Sequence, residues 1–183
     1  MLAFLVLILA ALSRLLPHAM HGIGINFTAV GAGLLFFGSR RPRWQAIIAV
    51  VVMALTDVYL TTVVYGLPFH LRGYLATWIW YAAVCLIGSS LLRKVTPLRV
   101  LAGVLASATG FFLWVDLAVW AFGNMYPHTL AGLGACYVAA IPFYWNDLAS
   151  TGLVAGALFG LPVLAARLVE SFHSASSSNQ PLT

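Results

Sequence analysis

NMYPHTLAGLGACYVAAIPFYW, residues 124–145, is the stretch on which the fold turns. Its middle is apolar enough for a bilayer, yet Tyr-Pro-His opens it and Pro-Phe-Tyr-Trp closes it. As a full crossing it gives the chain seven spans; as a segment that dips in and returns it leaves six. The apolar run 130–145 is shorter than the roughly 17 residues that a spanning helix needs. Pro127 suits the start of a short helix, and Pro142 ends or kinks one. The expectation is therefore an outer connection holding a short re-entrant or interfacial helix, a lid over a cavity. Irregular backbone survives at membrane depth only where protein buries it or where it lines such a cavity. The plainer alternative is a helix lying on the bilayer, anchored by Tyr144 and Trp145.

Composition sets the surroundings. The 183 residues are 62% hydrophobic and 7% charged, where a soluble domain is about a quarter charged. Four acids (Asp57, Asp116, Asp147 and Glu170) cannot furnish a water-facing surface. The lipid bilayer is the solvent. The N-terminal run MLAFLVLILAALSRLLP has no basic residue before it, and Arg14 follows the apolar stretch, so it reads as a retained helix and not as a cleaved leader.

Apolar runs fall at about 1–17, 24–39, 44–65, 73–92, 99–122, 130–145 and 151–169. Arg40, Arg41 and Arg43 sit between the second and third, and Arg93, Lys94 and Arg99 between the fourth and fifth. Six of the nine bases thus lie in two loops on one side, and positive charge marks the cytoplasm. With 130–145 not crossing, Arg167 joins them. The fold expected is an all-α polytopic bundle of six transmembrane helices with both termini cytoplasmic, in a bacterial cytoplasmic (inner) membrane. Residues 1–170 form its single domain, and 171–183 a polar, disordered tail.

That arrangement gathers His18, His21 and Asn26, then His70 and Arg72, then Tyr126, His128 and Asp147 at the outer face. A lone histidine is more often interfacial or capping than ligating. Four of the five on one side make an outward-open binding site the sharper expectation. Asp57 and Asp116 lie inside apolar runs, where a carboxylate must face the bundle or water, and Arg72 is the natural partner for either. Trp78, Tyr81, Trp114 and Trp120 suit the walls of a site for a flat molecule, although packing explains any single one.

Catalytic signals are missing: the sequence holds no HExxH, CxxC or GxxxxGK[ST], so no enzyme is expected and ATP would have to be hydrolysed elsewhere. No cofactor or metal site is indicated. Cys85 reads as core, and Cys136 lies in the expected lid. The basic loops fit topology and lipid headgroups, not nucleic acid. Gly152, Gly156 and Gly160 make a stripe that permits close helix packing, within the chain or against a partner.

RLLPH at 14–18, NFTAVGAGLLFFG at 26–38, TDVYL at 56–60, GLPFH at 66–70 and MYPHTLAGLGACYVAAIPFYWNDL at 125–148 resemble an uncharacterised bacterial family of small integral membrane proteins. In length, hydropathy and span count that family is similar to the S components of energy-coupling-factor vitamin transporters. The resemblance implies six helices that capture a vitamin-like small molecule from outside, with a coupling membrane subunit and separate ATPases as partners. The positions it carries over are His18, Asn26, Asp57, His70, Tyr126, His128, Cys136 and Tyr137. S components dock through small residues on the first helix; here Ala3, Ala10 and Ala11 form no three-residue repeat. The competing expectation is a structural or assembly subunit of a membrane complex, with a filled core and an exposed glycine stripe.

Overall fold

A computed structural model describes residues 1–15 and 27–178. These are helical almost throughout: α1 Leu2–Ser13, α2 Val30–Arg40, α3 Ala46–Tyr59, α4 Leu71–Leu91, α5 Pro97–Phe122, α6 Leu130–Ala155 and α7 Leu161–Ser178. A π turn, Leu60–Val64, prolongs α3, and a second, Gly156–Gly160, fuses α6 to α7, so the described helices make six rods. Four of them are long and apolar enough to cross a membrane: Arg43–Val64, Leu71–Leu91, Pro97–Phe122 and Leu130–Arg167.

The two short rods are α1 and α2. With 11 residues, α2 is about 17 Å long, roughly half of a ~30 Å hydrocarbon core. It sits in the middle and touches every other rod. Ala32, Leu34, Leu35 and Phe37 are completely buried, so the thinnest apolar run in the sequence forms the centre of the core. Around it, one face of each outer rod packs inward and the other presents leucine, isoleucine and valine to lipid, as Leu2, Leu5 and Leu9 do on α1. Ala3, Ala10 and Ala11 of α1 are buried, Ala10 against Gly33 of α2, and offer no surface to another subunit.

The ends of the bundle differ in charge. The Arg41 guanidinium lies 4.8 Å from the centre of the Phe4 ring, Arg43 Nε donates to Ser89 Oγ at 3.3 Å, and Arg93 Nε to the Ser89 carbonyl at 2.9 Å. The N-terminus and both basic loops therefore share one end, as charge counting expects. At the other end α1 stops at Arg14, α3 and α4 are joined by 65–70, and α5 and α6 by 123–129. Thr129 Oγ1 caps α6 by accepting from the Gly132 N–H at 3.1 Å, and Thr96 caps α5 in the same way.

The lid is corrected by the fold. Residues 130–145 are not a short helix ahead of a sixth span; they begin one rod running from Leu130 to Ser178, with Pro142 inside it. An interior proline costs about 3 kcal/mol, whereas ending the helix in hydrocarbon would strand four carbonyls at several kcal/mol each. Continuing is cheaper. Of the six transmembrane helices expected, four have the length and apolarity to cross; the last of these simply starts earlier than the sequence suggests, and its helix outlasts residue 170, the boundary suggested by composition. Phe159 packs 5.4 Å from Phe36, toward the basic end.

A cysteine at Lys94 and another at Arg167, in a Cys85→Ser/Cys136→Ser background, should react with impermeant maleimide from the same side of oriented vesicles. A cysteine at Met125 should react from the opposite side. Labelling of the first two from opposite sides would break the arrangement in which the basic loops and the far end of the last rod share one side.

Candidate functional site

Asp57 lies in the last full turn of α3, just before the backbone widens into the π turn, a distortion that often marks functional positions. It is 1% exposed. One carboxylate oxygen pairs with the Arg14 guanidinium, and the other accepts from the Trp78 indole N–H at 2.8 Å. Arg14 also donates to the Met53 carbonyl at 3.4 Å. The cation beside Asp57 is thus the arginine that ends α1, 43 residues away, and not Arg72. Arg14 was legible in the sequence only as a base after an apolar run. That position, at the foot of a membrane helix, is itself the signal that it seeks an acid.

The ion pair forms one wall of a cavity of about 250 Å³ bordered by the end of α1 and by α2, α3, α4, α5 and α6. Val30 and Gly31, the first turn of the half-length α2, form another, so the short helix leaves room where a full span would fill it. Tyr74, Trp80, Tyr81 and Phe111 supply aromatic surface. Trp80 is fixed by donating its indole N–H to the Ser107 carbonyl at 3.2 Å, and Tyr74 by a 2.5 Å hydroxyl contact with Thr61 in the π turn. Phe69, Tyr74 and Trp78 stack beside the ion pair, with ring centres 4.9 Å apart for the first two and 6.3 Å for the last two.

A second cavity, about 200 Å³, lies between α5 and α6 and is lined by Asp116, Phe112, Val115 and Tyr144. Phe111 and Asp147 line both spaces. Asp147, which the sequence suggests for an outer loop, is instead well inside the α6 rod.

Of the residues singled out from sequence, Asp57 lines the first cavity and Asp116 the second. Cys136 and Tyr137 gather near Asp116: the Cys136 thiol lies 3.5 Å from the Asp116 carbonyl, and the Tyr137 hydroxyl donates to the Leu113 carbonyl at 2.9 Å. His128 is exposed with its ring edge-on to Trp120, and Tyr126 lies in the same loop. His70 is exposed at the head of α4. Arg72 borders an apolar groove between α4 and α5 that also holds Trp114. Neither His70 nor His128 lines either cavity. His18, His21 and Asn26 fall outside the described residues. Among the described residues, no three histidine, cysteine or acidic side chains cluster closely enough to hold a metal ion.

Of the glycine stripe, Gly152 faces Val104, while Gly156 and Gly160 have none of the described residues within reach of an added Cβ. A family described as of unknown function, DUF6580, matches residues 1–173, and the chain belongs to it. No curated protein and no solved structure matches. What is established is a multi-pass helical membrane protein of that family, with an ion pair and two adjoining cavities inside the bundle.

Proposed function

We propose that this member of the DUF6580 family is the substrate-binding protein of a small-molecule transport system, holding its substrate in the cavity walled by Arg14 and Asp57. The observation that carries the reading is that buried ion pair at the edge of an unfilled, partly polar space. Desolvating two charges costs several kcal/mol each, which packing alone does not require, since apolar residues fill a bundle core as well or better. Charged groups at membrane depth generally mark pathways or sites. Fixed aromatic walls with a few placed polar groups are what ligand pockets contain.

The finer reading is a vitamin-like substrate taken from the outer face of a bacterial cytoplasmic membrane, with the basic end and both termini in the cytoplasm. Asp57 and Asp116 line the binding spaces; His70, Arg72, Tyr126, His128, Cys136 and Tyr137 shape the approach from outside. Coupling to a membrane subunit with separate ATPases would use a surface other than the alanines of α1, which face inward.

The open faces of Gly156 and Gly160 favour a second reading, an assembly subunit whose fused α6–α7 rod packs on a partner. Native mass spectrometry of the gently solubilised chain separates the two. A stoichiometric small molecule should accompany the parent and be lost from Thr77→Phe, which fills the cavity, while the unfolding midpoint holds or rises. A retained protein partner with no small molecule would sink the transport reading.

A further inference from the structure

We infer that the central cavity takes a small, flat organic cation seated by the Asp147 carboxylate; the inference rests on the cavity being the substrate site. Charge carries it first. Asp57, Asp116 and Asp147 line the two spaces, and among the described residues Arg14 is the only basic side chain that does. Arg14 is taken: it pairs with Asp57, whose second oxygen is held by Trp78. Asp147 borders both cavities and has no ion-pair partner among the described residues. A carboxylate at membrane depth needs a counter-charge or a proton, and the empty space beside it admits the former.

The walls narrow the class. Trp80, Tyr81 and Phe111 line the same space, and aromatic walls suit a planar cation held partly by cation–π attraction. A bare divalent ion would need about six oxygen ligands, which these aromatic walls do not supply. An anion would meet Asp147 directly. At about 250 Å³ the cavity lies below the roughly 300–1,000 Å³ of drug-sized sites, so a single ring system fits, with a substituent reaching past Phe111 toward Asp116. One turn along α6, the fully buried Thr151 hydroxyl lies near the Asp147 carboxylate but meets hydrogen-bond geometry with no described residue. It lies next to Gly31 of the cavity wall.

The test uses three probes of one shape and three charges, benzamidinium, benzamide and benzoate, titrated into the full chain in nanodiscs. Tryptophan emission and the unfolding midpoint report binding. Benzamidinium should bind saturably and at least about tenfold more tightly than benzamide, the size of one charge-assisted contact. Asp147→Asn should erase that preference, leaving benzamide affinity within about twofold of the parent; Asp147→Glu and Asp116→Asn should retain the preference. Equal binding of benzamide and benzamidinium to the parent, or a preference that persists in Asp147→Asn, overturns the cationic class while the cavity stands as a site. Binding by none of the three overturns the class and the cavity reading together.

Discussion

Replacing Arg14 with alanine should cost about 3–5 kcal/mol of stability, among the largest effects available to a single substitution in this chain. The loss does not measure the strength of the ion pair. It measures what remains: the Asp57 carboxylate, 1% exposed, with only the Trp78 indole N–H to replace both water and guanidinium. The double variant Arg14→Leu/Asp57→Leu removes the orphan as well as its partner, and apolar residues pack such a site at little or no net cost. It should recover most of the lost stability, read by denaturant unfolding in mixed micelles. Recovery of the fold should not bring back the co-purified small molecule, because the charged wall of the cavity is gone. An Arg14→Ala variant as stable as the parent would mean that Asp57 needs no counter-charge, and the ion pair would lose its place in the functional argument.

The parts of this fold that were legible in the sequence are those governed by composition and charge. Leucine and valine runs give the helices, and the arginines of the 40–43 and 93–99 loops reach one end because the helices between them reverse direction. The inward position of Asp57 follows from the cost of a carboxylate in lipid. What stayed hidden is pairing across long separations. Nothing local to Ser13-Arg14 or Thr56-Asp57 says that the two charges meet. Pro142 misleads for a different reason. Its helix-breaking tendency is an intrinsic property, while the decision to continue is made by a solvent that cannot satisfy stranded carbonyls. The same substitution of environment for local signal moves Asp147 from a loop to the junction of two cavities. The brevity of α2 was visible as the thinnest apolar run; that a short helix at the centre leaves space beside its first turn depends on longer neighbours enclosing it.

Gly38→Val should be at least as damaging as loss of Arg14, and for a reason of geometry alone. At Gly38 an added Cβ would lie 2.0 Å from the Cys85 carbonyl oxygen of α4; at Gly88, 2.3 Å from the Leu35 carbonyl oxygen of α2. The two helices cross backbone on backbone, each through the other's glycine. No side chain is there to swing aside, so one helix must move. Overpacking usually costs about 1–3 kcal/mol and occasionally more, and a rigid clash on the central helix should exceed the top of that range. Gly73→Val, on the same α4 but with nothing among the described residues within 4 Å of the added carbon, is the matched control and should cost about 1 kcal/mol or less. The consequence reaches the site because α2 is a short, rigid rod. Its last turn is pinned at Gly38 and its first turn, at Val30 and Gly31, walls the cavity. Displacing the crossing shifts that wall along the axis of a rigid rod. Gly88→Ala, the smallest change at the crossing, should therefore reduce small-molecule retention more than its loss of stability accounts for, read by native mass spectrometry beside the unfolding midpoint. Retention that simply follows stability would uncouple the crossing from the cavity, leaving α2 a packing element and no more.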